Sequence, residues 1–234
     1  MDLTDEEKKV LLGKGYVAQK DGLHFACRIA MPGGKMTARQ GEKVADLSVK
    51  YGQGYYTFTQ RLNVEIPWIQ YQDLDNLAKE LKEVGLAPGS TGRRVRPVLV
   101  CKGSLCKFGL LDTESIAQKL DERFYQGFYD VALPNKLRIV VSGCGNGCSK
   151  PQLGCIGLQG RQPDKVAVII QGMFGKEKLV GRELPGLFSL SEAMEIIEKA
   201  IFIYREKGIA GERFAKMVER IGFESIANSL LGLD

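Results

Sequence analysis

The chain holds a single histidine, His24, among 234 residues. One imidazole cannot build a histidine-ligated zinc enzyme or a nucleophile–histidine triad. A lone polar residue in a β-rich run reads instead as an ordinary strand residue. No apolar run reaches the roughly eighteen residues that a bilayer-crossing helix requires, so no membrane span is expected. The first residues, Met-Asp-Leu-Thr-Asp-Glu-Glu-Lys-Lys, lack the apolar core of a signal peptide, which predicts a cytoplasmic protein. Neither close cysteine pair is Cys-x-x-Cys, which disfavours a redox dithiol. The net charge of +5 comes without a long basic run or aromatic–basic interleaving, so nucleic acid is not an expected partner. A small anion or an anionic cofactor fits that charge as well. There is no internal repeat, low-complexity tract or heptad run.

What is present is cysteine. The chain has six, and in a reducing compartment they are free thiols or metal ligands. Cys101 and Cys106 stand in Cys-Lys-Gly-Ser-Leu-Cys, and Cys144 and Cys148 in Gly-Cys-Gly-Asn-Gly-Cys-Ser-Lys-Pro. The 37 residues between the pairs read as a helix and a strand. Loops leaving two neighbouring strands would bring all four thiols to one end of a sheet. Glycines 103, 143, 145 and 147 let the backbone approach a bulky inorganic group. Thiolate is the soft ligand that selects iron–sulfur clusters or zinc. Structural zinc usually takes pairs spaced two residues apart, so the spacing favours a [4Fe–4S] cluster. Cys27, inside a β-rich run, is expected as a buried core thiol, and Cys155 as a core thiol in preference to a fifth candidate ligand.

Capping boxes at Thr4/Glu7, Thr37/Gln40 and Ser189/Glu192 predict helices over residues 5–13, to about Tyr51, and to about Lys207. Asp73 and Asp112 (or Thr113) are candidate caps for two more. Residues 23–30, 97–100, 137–141 and 166–170 read as strands, and residues 55–66 as one long bent strand ended by Pro67. A last helix is expected over 211–221. The order of elements predicts an α+β protein, an α/β sandwich, in two lobes, 1–88 and 89–234, joined by a linker over 87–91.

These residues resemble the siroheme-dependent sulfite and nitrite reductases, whose usual pattern is Cys-x5-Cys followed by Cys-x3-Cys. Met31-Pro32-Gly33-Gly34, the run from Thr59 to Ile69, Gly92 to Val98, and Leu133-Pro134-Asn135-Lys136-Leu137-Arg138 are similar to further family stretches, so the likeness spans about residues 23–222. It departs in a first cysteine pair one residue short, and in Leu62, Pro67, Arg138 and Gly145. It also lacks a ferredoxin-type cysteine insert between 160 and 190. The resemblance implies a small, single-copy, assimilatory-type member with a ferredoxin-like N-terminal lobe. The second lobe would be a mixed α/β siroheme and [4Fe–4S] lobe with C-terminal helices. It implies Cys101, Cys106, Cys144 and Cys148 as cluster ligands, with Cys148 bridging to the siroheme iron. Arg61, Arg96, Lys136 and Arg138 are implied as the anion grip, and Asn146, Arg93, Arg94 and Lys150 as cofactor contacts. The implied reaction is six-electron reduction of sulfite to sulfide, or of nitrite to ammonia. Electrons would come from a separate donor such as a ferredoxin, and a homodimer would let the cations act across its interface. A non-catalytic iron–sulfur or tetrapyrrole carrier is disfavoured, because a carrier needs no anion pocket. A zinc-stabilised interaction module is disfavoured by spacing.

Overall fold

The computed structural model describes residues 3–89 and 91–233. Ser90, inside the expected linker, lies outside them. The chain divides into two units, Met1–Gly92 and Arg93–Asp234.

In the first unit, helix α1 (Asp5–Gly13) opens with the Thr4/Glu7 capping box. Strands β1 (Tyr16–Ala18) and β2 (His24–Ile29) follow, then α2 (Ala38–Tyr51), whose Thr37/Gln40 capping box is also formed. Next come β3 (Thr57–Phe58), β4 (Val64–Gln70) and α3 (Leu74–Lys82). The antiparallel sheet runs β1-β2-β4-β3. Its inward residues Phe25, Cys27, Ile29, Val64, Ile66 and Ile69 pack against Val44 and Leu47 of α2 and Leu74, Leu77 and Leu81 of α3. Cys27 is fully buried there, and that burial drives its thiol pKa far upward, as befits a core thiol. His24 lies on β2 with its ring Nδ1 2.7 Å from Asp21.

The long strand expected over 55–66 is two strands. Thr59 Oγ1 accepts from the backbone N–H groups of Arg61 and Asn63, Leu62 takes a left-handed φ of 59°, and the chain turns back as a hairpin. Nor does Pro67 end a strand. It lies inside β4, at a bulge where the pairing steps from Cys27↔Ile66 to Phe25↔Ile69. A bulge is a place inside a central strand where a missing N–H is tolerated. Asp73 occupies the N-cap of α3, but its side chain caps nothing, because the 3₁₀ turn Tyr71–Asp73 leads straight into the helix.

In the second unit come β5 (Leu99–Val100), α4 (Thr113–Leu120, continuing as a π-helical turn Asp121–Gln126), β6 (Ile139–Ser142), β7 (Ile156–Gln162) and β8 (Lys165–Ile170). Short strands β9 (Met173–Phe174), β10 (Lys178–Leu179) and β11 (Arg182–Glu183) precede α5 (Leu190–Lys207), α6 (Phe214–Ile221) and α7 (Phe223–Leu231). The main sheet has the order β11-β8-β7-β6-β5. Pairs β5–β6 and β6–β7 are parallel, and β7–β8 is antiparallel. One sheet face, with Ile139, Val141, Ile156, Leu158, Val166 and Val168, packs against α4 to α7 and holds Cys155 in the same core. On the other face the loop after β6 lies against the sheet. Gly157 is required there, since a Cβ would run into the Pro151 backbone. The final helix starts at Phe214 rather than 211, and α7 follows it. Gly222, with φ of 103°, separates the two. Among the described residues no helix is long and apolar enough to cross a membrane.

Asp121 is 1% exposed, and its Oδ1 has no hydrogen-bond partner. Burial pushes its carboxyl up to about 6. A carboxyl pKa raised on folding favours the protonated form, so its contribution is present at low pH and is lost as pH rises through about 6. Asp121→Asn is expected to remove that slope and to raise unfolding stability at pH 7.5 by roughly 1–3 kcal/mol. Urea titrations of both forms at pH 5 and 7.5 measure it, and an unchanged slope contradicts it.

Candidate metal centre

Strands β5 and β6 run side by side and in the same direction, in the register Leu99↔Val140 and Val100↔Val141. Cys101 is the next residue after β5, and Cys144 stands two residues after β6. Parallel pairing therefore delivers both cysteine loops at the same sheet edge. Cys101, Cys106, Cys144 and Cys148 all line one cavity of about 280 Å³, together with Lys102, Gly103, Gly109, Ser142, Gly143 and Asn146. Among the described residues no three His, Cys, Asp or Glu side chains gather as for a single metal ion. The four thiols surround a space rather than a point. Cys101, Cys106 and Cys144 are half-buried and Cys148 is exposed.

The two loops are tied to each other. The Gly143 N–H donates to Cys101 Sγ at 3.1 Å, and the Leu110 N–H donates to the Gly143 carbonyl at 2.9 Å. Thr113, the first residue of α4, donates its hydroxyl to the Cys101 carbonyl at 2.6 Å. Gly103, at φ of 49°, lies so close to Thr113 that no Cβ fits, and a Cβ at Gly143 would reach toward Gly103 and 3.6 Å from Cys101 Sγ. The glycines thus let the two loops and the start of α4 pack closely beside the thiols, and the cavity that the four thiols line fits an iron–sulfur cluster. An N–H donated to a cluster-ligating sulfur orients it and tunes such a centre.

The second loop is fastened to the sheet by polar residues that sequence reading missed. Gln159 on β7 is 1% exposed. Its Nε2 donates to the Gly145 carbonyl at 2.9 Å, between Cys144 and Cys148. Ser149 donates from Oγ to the Val141 carbonyl at 2.7 Å, and its backbone N–H donates to Ser142 Oγ at 3.3 Å. The available signal was weak: a glutamine between Leu158 and Gly160, in a glycine-interrupted run that did not read as a strand. Lys150, a sequence candidate, is exposed and left-handed at φ of 59°. Asn146 borders the cavity.

The basic candidates of this unit also gather. Val95 and Leu137 form a parallel bridge, and both are buried in the core. Their neighbours Arg94, Arg96, Lys136 and Arg138 therefore project from the opposite face of that ladder. On the strand that continues from Leu137, Ser142 shares this outer face and borders the cavity. At ~3.3 Å per residue, Arg138 stands about 13 Å and Lys136 about 20 Å along the strand from it. The Arg94 guanidinium stacks over the Tyr129 ring at 4.1 Å and keeps a buried Nη1 without a hydrogen-bond partner. Such a donor suits the carboxylates of an acidic macrocycle. Arg93 is exposed, and so is Arg61, which stands in the β3–β4 turn of the first unit.

Fold and site together define an iron–sulfur protein with a neighbouring basic face. Residues 91–232 match the nitrite and sulphite reductase 4Fe-4S domain, and residues 17–84 the nitrite/sulfite reductase ferredoxin-like half domain. The chain belongs to the nitrite and sulfite reductase family, whose cofactors are a [4Fe–4S] cluster and siroheme. It is 33% identical over 153 residues to the coenzyme F420-dependent sulfite reductase of Methanocaldococcus jannaschii, a match covering 65% of this chain and 24% of that one. It is 27% identical over 221 residues to the assimilatory-type sulfite reductase of Nitratidesulfovibrio vulgaris, covering 94% of this chain and 98% of that one. The solved Mycobacterium tuberculosis NirA protein superposes with a TM-score of 0.83 at 15% identity, over 97% of this chain and 47% of the other. That likeness is one of fold.

Gln159→Leu removes the amide that holds the Gly145 carbonyl. Outer-shell changes of this kind typically cost 10–100-fold in metal affinity. Iron is expected to leave the holoprotein about tenfold faster under an iron chelator, while the metal-free chain melts within a few degrees of its parent. Equal rates of iron loss would reduce Gln159 to a packing residue.

Proposed function

We propose that the chain reduces sulfite to sulfide. The observation that carries this reading is the convergence of Cys101, Cys106, Cys144 and Cys148 on one cavity, beside a face that bears Arg94, Arg96, Lys136 and Arg138. The sulfite reductases of M. jannaschii and N. vulgaris among its relatives support sulfite as the substrate. A second reading, nitrite to ammonia, is supported by 30% identity to the ferredoxin–nitrite reductase of Synechococcus elongatus over 177 residues.

Sulfite takes up six electrons and six protons to give sulfide and three waters. When bound, siroheme supplies the iron that holds the substrate, and the cluster supplies its electrons one at a time. The chain's own residues do the rest. Cys101, Cys106, Cys144 and Cys148 would hold the cluster, and Cys148, the exposed member of the set, would be the one shared with the siroheme. Arg94, with Arg93, Lys150 and Asn146, would hold the macrocycle's carboxylates. Arg96 and Arg138 grip the anion's oxygens with fixed charge, which stabilises charge that develops as oxygen leaves. Lys136 gives up protons to those departing oxygens, a role open to an ammonium and closed to a guanidinium. Arg61 completes the grip from a second copy of the chain in a homodimer.

Purified holoprotein is expected to show siroheme bands in the Soret and red regions over a broad brown cluster shoulder, and to oxidise reduced viologen when sulfite or nitrite is added. A correctly folded preparation that is colourless and free of iron overturns the reading. Lys136→Ala and Arg96→Ala are each expected to lower kcat by about a hundredfold or more with the visible spectrum retained. Mixing inactive Cys148→Ala chains with inactive Arg61→Ala chains tests action across subunits. Mixed dimers that form without regaining activity place the Arg61 grip within one chain.

A further inference from the structure

The first cysteine loop carries an exposed apolar surface with no role in lining the cavity. Leu105 is 81% exposed, Phe108 61% and Leu110 39%, all within six residues of the chain. An apolar group of this kind beside a basic rim marks an interaction site. Here the rim is Lys102 and Lys107, the latter with its Nζ 5.9 Å from the Phe108 ring centre. Neither cysteine loop, residues 101–111 or 143–150, contains an Asp or Glu, and together they carry Lys102, Lys107 and Lys150. The first acid beyond them, Asp112, is engaged in accepting the Ser115 N–H as a helix cap.

The loop is held in shape before anything binds. Leu105 N–H donates to the Lys102 carbonyl at 3.1 Å, Cys106 N–H to the Gly103 carbonyl at 2.8 Å, and Gly109 N–H to the Cys106 carbonyl at 2.9 Å. A preorganised surface spends little ordering entropy on binding. The inner side of the same loop, Cys101, Lys102, Gly103, Cys106 and Gly109, borders the cysteine cavity. A protein seated on Leu105, Phe108 and Leu110 is therefore one loop's thickness from the metal centre.

We propose that Leu105, Lys107, Phe108 and Leu110 form the docking face for an acidic one-electron carrier protein. This rests on the reductase reading above and names the partner that it requires. Charge chooses the occupant. A second copy pairing the same face about a two-fold axis would set Lys102 and Lys107 against their own counterparts, a like-charge contact that costs affinity. An acidic carrier meets the lysine rim with opposite charge and the apolar centre with its own exposed redox edge. At each encounter the carrier loses one electron and is oxidised, the chain's metal centre gains it, and no bond forms or breaks. Six encounters supply one sulfite.

The probe is a purified, net-negative ferredoxin, titrated calorimetrically into holoprotein at low and high salt and used in reduced form as the electron source. Lys107→Glu and Phe108→Ser, neither of which borders the cavity, are each expected to weaken ferredoxin binding about tenfold or more and to raise its KM by a similar factor. Salt is expected to weaken binding less in Lys107→Glu than in the parent. Viologen-driven turnover, iron content and the visible spectrum are expected to stay unchanged. Ferredoxin binding that both variants leave intact overturns the proposal. So does a parent that turns over with viologen yet binds no ferredoxin, or a native mass that falls when Phe108 is replaced, which assigns the face to self-association. A parent that binds ferredoxin through this face but reduces neither anion leaves the docking face standing and removes the reductase reading.

Discussion

The pairing of β5 with β6 in parallel is the constraint on which the site depends. Had Leu99 and Val100 met Val140 and Val141 antiparallel, the loops after them would have left from opposite ends of the sheet, and the two cysteine pairs could not share a cavity. Parallel neighbours need a long crossover, and α4 supplies it. The crossover is not only a spacer. Its first residue, Thr113, bonds the Cys101 carbonyl and presses on Gly103, so the helix that makes the pairing possible also sets the loop that the pairing delivers.

The site is bought with polarity in places where a sheet would otherwise be apolar. Gln159, Ser142 and Ser149 are each worth about 1 kcal/mol per hydrogen bond made, and each costs more than that if left unsatisfied. Their bonds go to loop and strand backbone, at Gly145 and Val141. The outer face of the second sheet therefore gives up hydrophobic burial at these positions and gains a loop of fixed shape. The inner face, with Ile139, Val141, Ile156 and Leu158 against α4 to α7, supplies the stability on which that exchange rests.

Local chemistry was the legible part of the sequence. All three capping boxes formed, because Thr4, Thr37 and Ser189 settle their helix starts through bonds three residues long. Cys27 and Cys155 are buried as expected. The misses were decided by tertiary contacts. β7 was not foreseen, since Gly157 and Gly160 lower strand propensity; they are there because Pro151 and Gly143 approach too closely for a side chain. The hairpin inside residues 55–66 turns on Leu62 in a left-handed conformation, which an aliphatic residue seldom signals. α7 escaped notice because no side chain caps it. At the site, the cysteine spacing gave the thiols, while the Val95–Leu137 bridge that gathers the basic residues is a pairing between distant segments with no local mark.

The one-residue shortening of the first cysteine pair has a structural answer. Between Cys101 and Cys106 the chain makes a 3₁₀ turn, Gly103–Leu105, and Gly103 takes the left-handed conformation that closes it. A tighter loop has fewer directions for its side chains. Its inner side is taken up by Lys102, Gly103, Cys106 and Gly109 at the cavity, and Thr113 stands behind Gly103. Ser104, Leu105, Lys107 and Phe108 are left only the outward direction, and all four are exposed. Shortness thus brings the apolar and basic side chains to the surface at the point where the chain is thinnest over its thiols. A longer loop would have room to fold Leu105 or Phe108 inward. The same contraction that fixes the geometry of Cys101 and Cys106 gives the centre an outer face of its own.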